Sequence, residues 1–348
     1  MNANLMLVID HRETRLTLDG HALRVDHPET KPRHVPLGLL GLVVVHGRPL
    51  VGCDVWRALA ERHIPAVLQP ARGRGASAWV GAALGGTIML RTAQHRAADQ
   101  GDLRLSIARR LVSDKIRAQA RAAVRLAVPS HVADARSVLR RHQETALAAL
   151  AQARTTGELM GIEGAAAAAW FHWLGGLLPT AWGFRGRNRR PPRDPFNALL
   201  SLGYTLLGGD MLGVVQQQGL DPARGFLHGL VPGRESLVLD LIEPLRPSVD
   251  VVLLGLLGGV VTPADFSNTA EDGCRLLKDA RGRFYAAWAQ ARQDWPVLLS
   301  IDPLHTTPPP AAPATVTLAQ ICFREVELLR QALKPIIPDP EEEDRLDG

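Results

Sequence analysis

Glu163, His228, Asp240 and Glu243 are the residues of this chain whose types and settings could do chemistry. Glu163 stands in Gly161-Ile162-Glu163-Gly164, ahead of an alanine-rich run, and His228 follows Gly225-Phe226-Leu227. Asp240 and Glu243 lie in Ser236-Leu237-Val238-Leu239-Asp240-Leu241-Ile242-Glu243-Pro244-Leu245-Arg246-Pro247. A carboxylate in such apolar sequence is costly to bury unless a cation or a hydrogen-bonding partner neutralises it. One imidazole with oxygen ligands suits a hard divalent cation, Mg2+ or Mn2+. Such an ion can polarise a phosphoryl oxygen, stabilise a leaving oxygen and activate a hydroxyl nucleophile.

Blander readings compete with this one. Asp240 and Glu243 are three residues apart and share a helix face that Arg246 continues. An acidic pair of that kind can simply offset a helix dipole, and so can Glu163 in a first turn. The bracketing leucines and Ile242 weigh towards a buried, functional pair, and Pro244 should kink the helix beside it. A lone histidine such as His228 is more often a hydrogen-bonded core residue than a ligand. Asp221-Pro222 ahead of it reads as a helix N-cap followed by proline in the first turn. His172 is a competing ligand, but Trp170, Phe171 and Trp173 around it favour a packed aromatic face.

Between Glu163 and His228, Arg185-Gly186-Arg187-Asn188-Arg189-Arg190-Pro191-Pro192-Arg193 holds five arginines in nine residues. It is either a disordered basic loop or a phosphate clamp beside the site, since guanidinium forks match phosphate oxygens. Trp182 and Phe184 could stack on a frayed base, although burial is the simpler expectation.

The elements that would carry these residues fall into two groups. Residues 1–90 read as a small β domain: apolar runs at Leu5–Ile9 and Leu40–His46, a hairpin of Arg15–Leu18 and Ala22–Val25 around Asp19-Gly20, a helix over Cys53–Arg62 and a strand at 64–68. Residues 91–335 read as a larger all-helical domain, with the switch between Gly85 and Ala98. Helices are expected over Arg91–Ala127, Val132–Ala153, Gly164–Leu178, Pro195–Gln217, Gly233–Ser248, Asp265–Ala291 and Thr317–Leu333, with a buried helix in Val249–Val261. Arg110, Arg117, Arg121 and Arg125 form a basic stripe on the first of these, read as a solvated face in preference to a DNA contact. Thr306–Pro313 reads as a linker, and residues 336–348 as an acidic flexible tail. The fold class expected is α+β.

Composition agrees with a folded protein. Lys and Arg total 40 against 35 Asp and Glu, a formal charge of +5. Without the acidic tail the body is more basic, almost entirely through arginine, which makes nucleic acid a reasonable partner. Three scattered cysteines with no CxxC support neither a zinc ribbon nor a disulfide framework and suit a reducing cytoplasm. Charged residues from Asp10 onward argue against a signal peptide, and Val249–Val261 is too short to span a bilayer.

The motifs above jointly resemble the CRISPR-associated integrase of the spacer-adaptation complex, the Cas-one family. Gly161–Gly164 is similar to its first metal-ligand motif, Asp194-Pro195-Phe196-Asn197 through Leu199-Leu200 and Gly203-Tyr204 to its "NPxNxLLxxxY" helix, Gly219–His228 to its histidine motif and Ser236–Pro247 to its acidic helix. Val35-Pro36-Leu37, Val43-Val44-Val45, Ile64–Val67 and Arg91-Thr92-Ala93-Gln94 leading to Val112 and Lys115-Ile116 are also similar. The likeness extends to about Leu333. Asp194 replaces the usual Asn, Ser201-Leu202 a commoner Asn-Tyr, and Ala118 an expected Asn.

The resemblance implies that Glu163, His228 and Glu243 ligate Mg2+ or Mn2+, with Asp240 an accessory carboxylate that either supports the ligands or binds a second ion. It implies a DNA integrase or endonuclease that inserts spacers by transesterification with a DNA 3′-hydroxyl. Arg185, Arg187, Arg189, Arg190, Arg246 and Tyr204 become candidate DNA contacts. The implied partners are prespacer and repeat duplexes, a second copy bound through the β domain, and a small partner (Cas-two) flanked by two such dimers. A reverse transcriptase or other adaptation proteins could join them. A hydrolytic structure-selective nuclease and a non-catalytic DNA-binding subunit remain as rival readings.

Overall fold

The computed structural model describes residues 5–70, 77–81, 88–126, 133–188, 191–269, 271, 273–298 and 316–337. The linker at 306–313, most of the acidic tail, Arg189 and Arg190 lie outside these residues.

Ten strands and ten helices are described. In chain order they begin with β1 (Leu5–Ile9), β2 (Arg15–Asp19), β3 (Ala22–His27), β4 (Thr30–Pro36), β5 (Leu40–His46), β6 (Leu50–Val51), α1 (Cys53–Glu61), β7 (Ala66–Gln69) and β8 (Ala78–Val80). One sheet has the order β1-β5-β7-β8, parallel except for β7/β8. The other has the order β4-β3-β2-β6. The continuous apolar run of β5 follows from burial on both faces: Val43 and Val45 face the core between the sheets, while Leu42 and Val44 face the helices. Strands β4, β6 and β8 escape the hydrophobic pattern. β4 is polar and largely exposed, and β6 and β8 are very short.

The helical part comprises α2 (Ile88–Asp99), α3 (Gly101–Arg125), α4 (Ala133–Gln152), α5 (Thr156–Gly175), α6 (Pro195–Gln217), α7 (Ser236–Ile242), α8 (Arg246–Leu256), β9 (Phe266–Thr269), β10 (Gly273–Leu276), α9 (Lys278–Gln293) and α10 (Leu318–Leu333). The α+β class holds: a β-strand region precedes a mostly helical one. Three expectations need correction. The helix expected over Arg91–Ala127 is two helices, broken where Gln100 is extended (ψ 108°) before Gly101, because the apolar spacing runs on across the break. The helix expected over Asp265–Ala291 starts only at Lys278; Thr262 and Asp265 close a capping box and an antiparallel hairpin follows, so this region is not all-helical. The basic stripe is not a plain solvated face. Arg110 contacts Asp114 (3.1 Å) and the buried Glu325 (3.4 Å), and Arg121 donates to the Leu298 carbonyl at 2.8 Å.

Helix α6 is the axle of the molecule. It is long and apolar enough to cross a membrane, but most of it is buried inside the protein, as a core helix is. Asp194 caps it by accepting from Asn197 N at 2.8 Å. Its glycines let it lie against the sheet: a Cβ on Gly208 would fall 2.1 Å from the Trp79 ring, and one on Gly209 2.5 Å from Val67. Trp79 Nε1 donates to the Thr205 carbonyl at 3.0 Å, and Arg281 pairs with Asp10 at 2.7 Å, joining the two regions.

Candidate metal centre

Glu163 is carried by α5, whose start is fixed by Thr155 accepting from Glu158 N at 3.1 Å. The helix therefore begins eight residues before the expected Gly164, and Glu163 sits in its interior. The first-turn dipole reading is overturned. Glu243 stands where α7 ends and a 3-10 turn, Glu243–Leu245, leads into α8; the kink falls at Pro244 as its missing N–H requires.

These two carboxylates meet on one cation. Lys115 Nζ, from the middle of α3, contacts Glu163 Oε1 and lies 2.5 Å from Glu243 Oε2. Arg246 Nε lies 2.9 Å from Glu243 Oε1. Burial alone would raise the Glu243 carboxyl, but Arg246, Lys115 with its hydrogen bond, and His228 together hold it down at about 2. His228 is thus near enough to Glu243 to act on it electrostatically.

His228 is held by Asp240. No helix follows Asp221-Pro222; residues 219–235 form a loop. The wholly buried Asp240 closes that loop from inside. Its Oδ2 accepts from Phe226 N (2.6 Å) and Leu227 N (2.9 Å), and its Oδ1 from His228 N (3.0 Å) and His228 Nδ1 (2.6 Å). With Nδ1 committed, Nε2 is the nitrogen left to meet a ligand or substrate. Both oxygens of Asp240 are engaged, which favours the supporting role over binding of a second ion.

Gly225 must be glycine here, because a Cβ would lie 2.7 Å from Asp240 Oδ2 and 2.9 Å from the Ser236 carbonyl carbon. Gly225→Ala is expected to displace the His228 loop and lower catalytic activity ~10-fold or more, through loss of positioning. A normal circular-dichroism spectrum together with unchanged activity would refute this.

Other residues that the sequence did not single out for the site complete the support. Gln94, wholly buried, donates to the carbonyls of Asp221 (2.9 Å) and Arg224 (2.7 Å) and accepts from Asp221 N (2.8 Å). Arg104 donates to the Phe226 carbonyl at 2.9 Å. Asp250 accepts from Tyr204 Oη (2.5 Å) and Trp170 Nε1 (2.8 Å); burial pushes its carboxyl up to about 6, against the pull of these bonds and of Lys115 and Arg187. A charged residue within the apolar Val249–Val252 was the available signal, the same one that marked Asp240.

The candidate DNA contacts divide. Arg185 is exposed on a cleft of about 880 Å3 that also touches Glu163, His172 and Phe184. Arg187 bonds Asn197 Oδ1 (2.8 Å) and Ser201 Oγ (3.1 Å), and Asn197 Nδ2 returns a bond to the Gly186 carbonyl (2.9 Å), so the arginine loop is tied to the start of α6. The β9–β10 hairpin holds its other end, through Cys274 N to the Pro192 carbonyl (2.7 Å) and Asn268 Nδ2 to the Arg193 carbonyl (2.8 Å). Arg246 is largely buried on Glu243 and stacks 4.5 Å from the centroid of Tyr204, itself buried. Neither Arg246 nor Tyr204 is a surface clamp. Trp182 and Phe184 pack edge-on against Phe266 and Phe196.

Among the described residues no three His, Cys, Asp or Glu side chains are gathered tightly enough to hold an ion as they stand. The charge between Glu163 and Glu243 is supplied by Lys115. The donor set nonetheless fits a divalent cation in kind: two carboxylates from separate helices already converge on one positive charge, with an oriented imidazole beside them.

Comparison with known proteins identifies the family and the fold. Residues 7–290 match the family model described as CRISPR associated protein Cas1. The chain is 36% identical over 293 residues to a CRISPR-associated endonuclease Cas1 of Rhodospirillum rubrum, covering 80% of this chain and 84% of the relative. It is 31% identical over 297 residues to one of Chlorobaculum tepidum, covering 83% and 86%. In fold it is similar to a Cas1 protein from Thermotoga maritima (TM-score 0.78, 21% identity, covering 95% and 97%) and to a casposase bound to integration product (TM-score 0.75, 21% identity, covering 95% and 90%). With the family model spanning most of its length, the chain belongs to the Cas1 family of CRISPR-associated proteins.

Proposed function

We propose that this protein is a divalent-metal-dependent DNA integrase that inserts short DNA fragments at a CRISPR repeat. The observation that carries the reading is the convergence of Glu163 and Glu243, eighty residues apart, on one cation beside a histidine oriented by a buried carboxylate. Glu163, His228 Nε2 and Glu243 would hold Mg2+ or Mn2+, and Asp240 would position His228. When bound, the ion supplies positive charge to the attacking and leaving oxygens of phosphoryl transfer.

The reaction is a transesterification. A fragment's 3′ oxygen forms a bond to phosphorus, the target strand's phosphorus–oxygen bond breaks, and the proton lost by the attacking hydroxyl is balanced by one gained at the leaving oxygen. The chain's own residues align the strands. The exposed Gly164 and Ala168 on α5 leave a smooth floor beside Glu163, along which a backbone can approach closely. Arg185 at the cleft would hold phosphates, and Arg189 and Arg190, close to it in sequence, are further candidates.

Solved structures of similar fold support the partners. A casposase bound to integration product and a Cas6-RT-Cas1–Cas2 complex share this fold. We therefore assign duplex DNA and a Cas2-type subunit as partners. The family resemblance adds a homodimer formed through the β region and two such dimers per assembly, and leaves open whether a reverse transcriptase or other adaptation proteins join.

The test incubates 3′-hydroxyl and 3′-blocked duplexes with supercoiled repeat plasmid and Mn2+. Only the free hydroxyl should yield covalent plasmid products. Equal plasmid nicking with both duplexes would establish water as the nucleophile and replace the integrase reading with the hydrolytic one.

A further inference from the structure

Lys115 is buried in α3, its side chain only 7% exposed, and its ammonium touches both carboxylates proposed as metal ligands. A buried ammonium is costly unless paired, and two carboxylates brought within reach of one atom repel each other unless a cation separates them. Lys115 removes both costs together. It also borders a small cavity lined by Tyr204, Arg246, Arg187 and Asp250. Its four-carbon stem is flexible, and Asp250 on the same cavity is the carboxylate towards which a displaced ammonium would turn.

We propose that Lys115 is a built-in counter-cation of the metal centre: it keeps Glu163 and Glu243 assembled in the metal-free protein, and a divalent ion must displace it to bind. Lys115 is on this account a positioning residue that sets metal affinity. The proposal rests on the metal-centre reading above and adds to it a competitor within the chain. The divalent ion wins because it brings twice the charge to the same two oxygens, while Asp250 offers the displaced ammonium a third carboxylate.

The experiment compares the full-length unsubstituted chain, Lys115→Met, Lys115→Arg and Glu163→Ala. Bound Mn2+ is counted by electron paramagnetic resonance, and thermal melting is followed in chelator and in Mn2+. Lys115→Met should melt several degrees lower in chelator. Mn2+ should return its melting point to that of the metal-loaded unsubstituted protein, and its Mn2+ affinity should rise about tenfold, because nothing has to be displaced. Lys115→Arg keeps a cation that grips carboxylates with a two-pronged fork, so its Mn2+ affinity should fall.

A Lys115→Met protein that is destabilised but not rescued by Mn2+ would make Lys115 a folding contact only and overturn the proposal. Unchanged Mn2+ affinity in Lys115→Met would overturn it too. Should Lys115→Met fail to fold even with Mn2+, Lys115→Arg decides, and tighter Mn2+ binding there sinks the idea. Binding of Mn2+ by the unsubstituted chain that Glu163→Ala leaves intact would instead refute the metal-centre reading itself.

Discussion

Glu163→Ala is expected to cut strand transfer by ~10³-fold or more while leaving duplex affinity within a few-fold of the unsubstituted chain. The activity loss follows from removing one of the groups that place charge where it develops in the transition state. The retained affinity follows from the way DNA binding energy is spread over many phosphate contacts, none of them an acidic side chain. Glu163 is a better probe than Glu243. Its side chain is 22% exposed against 6%, and its only described ion-pair partner, Lys115, keeps Glu243 as a second partner when Glu163 is gone. Glu243→Ala would leave Lys115 on Glu163 but would take from the largely buried Arg246 the carboxylate it is paired with, so lost activity there could reflect lost structure. Fluorescence anisotropy on a labelled duplex gives the affinity, and an agarose assay of plasmid integration gives the rate. Integration by Glu163→Ala at the unsubstituted rate would remove Glu163 from the reaction.

What the sequence disclosed about this site depended on a single kind of signal, a charge in apolar surroundings. That signal marked Glu163, Asp240 and Glu243, which the structure brings close to one another or to His228. It also located α6 to the residue, because Asp194-Pro195 writes the cap and first turn directly into the chain. Asp in place of the family's Asn serves equally well there, since either side chain can accept from the amide three residues on. Relations across the chain were not legible. Nothing local says that Lys115 would face two acids from other helices, or that Arg246 would turn inward onto Tyr204 and not out towards DNA. The α5 start was missed because Gly157, Gly161 and Gly164 look like interruptions, although each costs a helix only about 1 kcal/mol, and the Thr155 cap and the buried Leu159, Ala166 and Trp170 side chains outweigh that. The hairpin after Asp265 was missed for the opposite reason: its polar residues were absorbed into the amphipathic pattern of α9, which begins only after it.

Asp240→Asn should destabilise the helical region by ~2–5 kcal/mol despite being nearly isosteric. Each oxygen of Asp240 accepts two hydrogen bonds, one from Phe226 N and Leu227 N, the other from His228 N and Nδ1. All four partners are donors as the loop is built, and an asparagine can offer an acceptor to only one pair. Turned one way, its NH2 group confronts the two N–H groups of Phe226 and Leu227; turned the other, it confronts His228 N and can bond Nδ1 only if the ring moves its proton to Nε2, so buried donors are left uncompensated either way. If the amide turns its oxygen to Phe226 and Leu227, the backbone bend survives but the imidazole either loses its anchor or is held with its proton on Nε2, the nitrogen that should ligate, and transfer should fall ~10- to 100-fold, as when the group orienting a metal-ligating histidine is removed. If it turns its oxygen to His228, the ring keeps its orientation while the loop strains, and the loss appears mainly in stability. Ser236→Ala is the matched control, because it deletes only the two hydrogen bonds of a neutral hydroxyl from the same loop, Ser236 Oγ to the Gly229 carbonyl at 2.8 Å and Arg234 Nε to Ser236 Oγ at 3.2 Å, and should cost only about 1–2 kcal/mol. Urea denaturation followed by tryptophan fluorescence separates the two variants. A midpoint for Asp240→Asn no lower than that of Ser236→Ala would show that the buried carboxylate does not hold the histidine loop, and the account of how His228 is aimed would have to be abandoned.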